Sequence, residues 1–290
     1  MRLGIVTPVL TLLPRAHAHW EAEAGIAEVE RVVVAAERLG YEFATCSEHV
    51  AIPADVAPVR GATYWDPLAT FGYLAARTTT IRLATFVLVL GYHHPLAIAK
   101  RYGTLDRVCD GRVILGVGVG SLEAEFDLLG APFDDRGARG DDALRALRAA
   151  FGVTEPTYAG SYYAFSDLVV DPCGVQRPVP IWIGGRTARS LRRAVELGDA
   201  WAPFALGPDE VAALLDRARR GAEWDARATP LEVVLQPVPA LDPLGAPDPT
   251  RAALAAHQAA GATALAVRVV HRSPDHYVEQ LEALLALTPD

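Results

Sequence analysis

The sequence predicts an α/β protein folded as a (β/α)8 TIM barrel with a small hairpin insertion, one domain over residues 1–290. Three observations lead there. Strand-like and helix-like segments alternate, which implies a parallel sheet with helices outside it. The alternation repeats eight times, and 290 residues suit eight such units closing on themselves. No linker, repeat or low-complexity tract divides the chain, although DPLGAPDP (Asp242–Pro249) reads as a stiff loop. A doubly wound open sheet is the alternative.

The elements follow in order. Leu3–Leu10 is the first strand, and Ala24–Gly40 has apolar residues at helical spacing with Gly40 as its C-cap. Tyr41–Val50 is strand then loop, and Pro53 to Tyr64 is loop. Asp66–Thr78 is a helix with Asp66 as N-cap and Pro67 at its first position. Ile81–Gly91 is a strand, His94–Gly111 a helix, and Gly111–Gly120 (GRVILGVGVG) a strand. Gly137–Gly152 is a helix, followed by a β-prone hairpin insertion between Val153 and Val170 with Ala159-Gly160 as its turn. The pattern then runs strand Val179–Gly185, helix Thr187–Gly198, strand Asp199–Phe204, helix Pro208–Trp224 and strand Leu231–Leu241. It closes with helix Asp248–Gly261, strand Ala262–Val270 and helix Ser273–Leu287.

Composition narrows the partners. The net charge is -8 with no basic block, so nucleic acid is not expected. No apolar run is long enough to span a bilayer, so a membrane is not expected either. The opening MRLGIVTPVL enters a strand pattern at once and lacks the layout of a signal peptide. Three cysteines, Cys46, Cys109 and Cys173, show no metal spacing, and a reducing cytoplasm is the expected location. The histidines His17, His19, His49 and His94 form no strand or helix zinc pattern, so no metal is expected.

In a barrel, chemistry gathers at the C-terminal ends of the strands. Gly116, Gly118 and Gly120 thin one face of the fourth strand where it ends. Either a flat ligand lies against this backbone, or the glycines serve a tight turn within the packed barrel. Gly184-Gly185-Arg186-Thr187 is either an anion cradle at a helix N-terminus or a tight turn capped by Thr187. His49 follows the second strand, where an imidazole exchanges protons near neutral pH or serves structure alone. Glu123 and Glu125 are expected in a charged loop, tied by an exposed ion pair to Arg136 or Arg139. No GxSxG elbow is present, which argues against a nucleophile-based hydrolase.

Three long runs, IRLATFVLVLGYHHPLAIAKRYGTLD, LDRVCDGRVILGVGVGSLEAEFDLLGAPFDDRGAR and FSDLVVDPCGVQRPVPIWIGGRTARSLRRAVELGDAWAP, together resemble the bacterial luciferase-like monooxygenase superfamily. The similarity is closest to its oxidoreductases that use the deazaflavin coenzyme F420, and it runs from Leu3 to about Phe204. The resemblance implies hydride transfer between F420 and a small organic substrate at the barrel mouth. The alternatives are an FMN-dependent monooxygenase and a non-catalytic flavin-binding barrel. It also implies a non-prolyl cis peptide near Phe86-Val87 and a proton-transfer or substrate-anchoring role for His49. Cofactor contacts fall to Thr7, Glu48, Thr85, Phe86, Val87, Gly116, Gly118, Gly120, Gly184, Gly185, Arg186 and Thr187. Trp65, Tyr92 and Phe204 are the substrate-pocket residues, and a homodimer through outer helices is expected. Ser121 stands where the sugar-phosphate dehydrogenases of the family have glutamate, and Glu48 where they have aspartate. Both departures argue against sugar-phosphate oxidation.

Overall fold

Runs of consecutive apolar residues in this sequence are too buried to alternate, the signature of strands covered on both faces. The computed structural model, which describes residues 1–14 and 16–288, places them in a closed parallel barrel. Its strands are β1 (Arg2–Val6), β2 (Phe43–Cys46), β3 (Arg82–Thr85) and β4 (Val113–Gly118). They continue as β5 (Ile181–Gly184), β6 (Ala200–Ala202), β7 (Glu232–Leu235) and β8 (Ala264–Val267). Each pairs in parallel with the next, and β8 closes on β1 through Arg2↔Ala264 to Ile5↔Val267. The (β/α)8 architecture expected from the alternation is therefore the one observed.

Helices follow the strands and cover the barrel from outside. Their starts are written in the sequence. The Asp66 carboxylate accepts from Ala69 N at 2.8 Å ahead of Pro67, and the Ser273 hydroxyl accepts from His276 N at 3.1 Å ahead of Pro274. Such caps contribute about 1 kcal/mol each. The helix Ile26–Arg38 ends on Gly40 at φ +84°, the left-handed region that glycine enters without a Cβ penalty. The insertion is the expected hairpin: Tyr158–Ala159 pairs antiparallel with Ala164–Phe165, and Gly160 N donates to the Tyr163 carbonyl. The buried Asp142 carboxylate ties it to the barrel, accepting from the Tyr158 hydroxyl at 2.6 Å and from Tyr162 N at 2.8 Å.

The barrel interior is filled rather than hollow. Phe43 and Trp182 meet edge to face at 4.9 Å among Ala84, Ile114, Ala200, Val234, Ala264 and Ala266. Gly4 is what admits the Phe43 ring, since a Cβ there would overlap it. Several elements differ from expectation. The third strand is not continuous over Ile81–Gly91: it stops at Thr85 and resumes as Leu88–Val89. SLEAEF is not an open loop but leads into a short helix, Glu123–Leu129. The helix expected over Pro208–Trp224 ends at Ala218, and a separate turn, Ala222–Asp225, follows Gly221. Among the described residues no helix is long and apolar enough to cross a membrane.

Candidate active site

The break in the third strand shapes the mouth. The Phe86–Val87 peptide is cis, at the place the resemblance implied. The end of β2 grips this bulge from one side. Phe86 N donates to the Cys46 carbonyl at 2.7 Å, the Ser47 hydroxyl donates to the Phe86 carbonyl at 2.8 Å, and Glu48 N donates to the Val87 carbonyl at 3.2 Å. From the other side the Thr85 hydroxyl donates to the Gly116 carbonyl at 2.7 Å.

That geometry gives the glycines a packing role. A Cβ on Gly116 would collide with the Thr85 carbonyl, and one on Gly118 would stand 2.9 Å from the Val87 side chain. A Cβ on Gly184 would stand 2.8 Å from Val87, while Gly120, at φ +82°, lies under Phe126 and Val89. Side-chain-free backbone here accommodates the chain's own bulge and the ring of Phe126.

At the mouth, backed by this bulge, lies a cleft with a cavity volume of about 160 Å³ that opens to solvent. Thr7, Phe86, Val87 and Phe204, assigned to cofactor or substrate from the sequence, line it together with Val6 and Ala202. Its opposite wall carries Glu21, Gln236, Arg268 and His271, none of which the sequence reading singled out. Phe204 is 51% exposed at the rim, with the Arg186 guanidinium 5.8 Å from its ring centre. The Thr7 hydroxyl accepts from Thr45 N at 3.1 Å, which pins the end of β1 to β2.

His49, the expected proton carrier, stands two residues beyond the lining residue Ser47 and does not itself line the cleft. Its Nδ1 lies 2.5 Å from Oε2 of Glu125, a carboxylate whose side chain is wholly buried. Glu125 also accepts from Val50 N at 2.7 Å, Ala51 N at 3.2 Å and the Tyr92 hydroxyl at 2.6 Å. Burial alone would push the Glu125 carboxyl up; the Tyr92 and His49 hydrogen bonds outweigh it and hold the group below the ordinary carboxylate range. Burial and the bond to Glu125 push the Tyr92 phenol well above its ordinary value, so it stays a donor. An ionised carboxylate only accepts, so His49 Nδ1 carries a proton and Nε2 is left free for exchange. Glu125 is thus not in the exposed ion pair expected with Arg136 or Arg139. Arg136 instead donates to the Gly120 and Phe133 carbonyls, and Arg139 pairs with Asp135. Nothing local in the sequence joins positions 49 and 125; the barrel does, by bringing the segments after β2 and β4 together across the end of β3.

Other assignments move as well. Glu48 is committed to the protein: Oε2 accepts from Val89 N at 2.7 Å and Oε1 lies 2.6 Å from His93 Nε2. Thr85 is buried under its bond to Gly116. Tyr92 supports Glu125 and packs edge to face on Phe126 at 5.0 Å. Trp65 accepts the Cys46 thiol on its carbonyl and packs on the core, outside the cleft lining. At Gly184–Thr187, Gly185 takes φ +113°, and the Thr187 hydroxyl caps Ala188–Leu197 by accepting from Ser190 N at 3.2 Å. This is the capped-turn reading, and it leaves Arg186 and Thr187 exposed at the rim.

A parallel eight-stranded barrel with a bulge-backed cleft and a carboxylate-oriented histidine at its mouth defines a class of small-molecule enzyme scaffold. The family model for luciferase-like monooxygenases matches residues 1–286, and the chain belongs to that family. It is 31% identical over 214 residues to an uncharacterized protein of Mycobacterium tuberculosis, covering 69% of this chain and 73% of that one. It is 28% identical over 193 residues to an F420-dependent glucose-6-phosphate dehydrogenase of Intrasporangium calvum, covering 63% and 56%. Among solved structures, the monooxygenase RslO1 from Streptomyces bottropensis superposes with a TM-score of 0.78 at 20% identity, covering 99% and 98% of the two chains. An F420-dependent secondary alcohol dehydrogenase superposes with a TM-score of 0.76 at 14% identity, covering 100% and 99%. These superpositions show a shared fold.

Proposed function

We propose that this protein is an F420-dependent oxidoreductase that moves hydride between the deazaflavin and a small organic substrate held in the mouth cleft. The observation that carries the reading is the His49–Glu125–Tyr92 array, held two residues past Ser47, together with the apolar, bulge-backed cleft that Ser47 helps to line. The residues present fit such a cofactor. Val6, Phe86, Val87 and Ala202 offer an apolar wall, while Arg186 and the helix start at Thr187–Ala188 offer donors to an anionic tail. When bound, the deazaflavin supplies the hydride chemistry. The chain supplies the proton and the geometry. Glu125 keeps the imidazole oriented through Nδ1, so that Nε2 of His49 gives or takes a proton as hydride leaves or arrives at the substrate carbon. The F420-dependent relative at 28% identity supports the cofactor choice, while Ser121 and Glu48 argue against a sugar phosphate as substrate. A homodimer in a cytoplasmic setting belongs to the same proposal.

The test is a titration of the purified protein with F420 and, separately, with FMN, followed by absorption and fluorescence. A saturable change with F420 and none with FMN is expected. Preferential binding of FMN overturns the proposal in favour of a flavin-dependent monooxygenase. Turnover by His49→Ala that matches the parent removes His49 from the mechanism, and F420 binding with no turnover of any substrate leaves only a flavin-type binding barrel.

A further inference from the structure

The wall of the cleft opposite the bulge carries donors that the fold leaves unused. Gln236 and Arg268 are each the first residue past neighbouring strands, β7 and β8, so both stand at the rim and line the cleft. The backbone of Arg268 is fixed, its carbonyl accepting from Leu241 N at 2.8 Å. A guanidinium has five N–H donors. Arg268 engages one protein acceptor, the Ala16 carbonyl, through Nη2 at 2.8 Å. Among the described residues it forms no ion pair, and the Gln236 amide makes no hydrogen bond to the protein.

The anion in this wall is not its partner. Glu21 turns Oε2 to Val9 N at 2.8 Å and Oε1 to Ala18 N at 2.7 Å, with His271 Nε2 at 3.5 Å. His271 is itself occupied, its Nδ1 accepting from Trp20 Nε1 at 3.0 Å. A half-buried cation with free donors, in a cleft whose one carboxylate is already satisfied, calls for an anion from outside the fold.

We propose that Arg268, with the Gln236 amide beside it, anchors a carboxylate at one end of the substrate. The planar fork of a single guanidinium matches a carboxylate in two parallel hydrogen bonds. A phosphate dianion calls for more than one cation. Among the described residues Arg268 is the only arginine lining the cleft and no lysine lines it, and Lys100 donates to the Asp171 and Pro172 carbonyls. The inference rests on the reading above for what happens at the bulge end of the cleft. The substrate class that results is an organic acid whose reacting carbon is remote from its carboxylate.

The probes are hexanoate, hexanamide and hexyl phosphate, each titrated into the cofactor-free protein by saturation-transfer NMR. Hexanoate should bind more tightly than the other two, and Arg268→Met should weaken hexanoate about tenfold or more. Arg268→Lys should recover part of the loss, and hexanamide should bind the parent and Arg268→Met alike. Gln236→Leu, a second variant outside the guanidinium, should weaken hexanoate severalfold. Equal binding of hexanoate by the parent and Arg268→Met, tighter binding of hexyl phosphate, or no binding of hexanoate overturns the proposal. So does loss of F420 binding in Arg268→Met with hexanoate unaffected. Should FMN prove to be the cofactor while hexanoate still depends on Arg268, the cofactor reading falls and the anchor stands.

Discussion

Of the three histidine–glutamate pairs at the barrel mouth, His49–Glu125, His93–Glu48 and His271–Glu21, the first and the last are built to opposite ends. In the first, His49 Nδ1 donates to a fully buried Glu125 at 2.5 Å, and among the described residues no second partner holds Nε2. In the last, indole Nε1–H of Trp20, which can only donate, takes the Nδ1 lone pair of His271, and Nε2 faces Glu21 at the longer distance of 3.5 Å. Burial, opposed by Glu21, pushes the His271 imidazole below its ordinary value of 6.5. Both pairs join a histidine to a glutamate far away in sequence. The third partner decides the chemistry: Tyr92 donates to the carboxylate of the first pair and leaves the imidazole free, whereas Trp20 donates to the imidazole of the last and closes it.

The largest effect should come from the free imidazole. His49→Ala should lower turnover roughly a hundredfold or more, the contribution expected of a positioned proton carrier, with the F420 titration unchanged. His271→Ala should leave turnover within a few-fold of the parent. Equal losses in the two variants would erase the distinction between the pairs.

Next in size is the stability held by Glu125. Glu125→Ala strands Val50 N, Ala51 N, the Tyr92 hydroxyl and His49 Nδ1 in a buried setting. It should cost about 3 kcal/mol in urea unfolding at pH 7. The sign with pH follows from the depressed carboxyl: the native state holds it ionised below the ordinary value of 4.5. The gap between parent and variant should be complete above pH 4.5 and shrink as acid protonates the native group. A gap that stays constant to pH 3 would show that the missing carboxylate charge is not what the variant lost.

Much of the barrel was legible in the sequence because each element carries its own signal. The apolar runs of β2, β4 and β5 mark buried parallel strands, and Asp66-Pro67 and Ser273-Pro274 announce helix starts within four residues. The site was legible in location more than in detail. Gly116, Gly118 and Gly184 do mark a close approach, but the approaching groups are the Thr85 carbonyl and Val87, residues whose displacement depends on a break in β3 that residue patterning alone does not mark. Glu125 reads as a surface charge next to Glu123, and only the closed barrel, which brings the segments after β2 and β4 together over the end of β3, turns it toward His49 and toward Val50, 75 residues away. Arg268 lies in the last third of the chain, past the stretch where the resemblance to known relatives is strong. A clue did exist for Glu21 and His271, in the clustering of Trp20 and His19 after the first strand, but spacing alone cannot pair residues 20 and 271.

The two smallest effects probe the closed pair. Trp20→Phe keeps an aromatic ring edge to face with His271 and removes only the indole donor. It should cost about 1 kcal/mol, the net contribution of one hydrogen bond, against the larger loss in Glu125→Ala. Freed of its donor, His271 Nδ1 becomes able to take a proton, so its 15N resonances should titrate at higher pH in the variant than in the parent. The parent's stability carries the matching signature. With the native imidazole held below 6.5, the unfolded chain binds the proton first as pH falls, so the stabilisation is intact above pH 6.5 and erodes below it. His271→Gln should remove that part of the acid slope while leaving the slope from Glu125, which begins two pH units lower, in place. If both variants keep the parent's melting temperature profile from pH 7.5 to 5, His271 is not held neutral, and Trp20 does not set the difference between the two pairs.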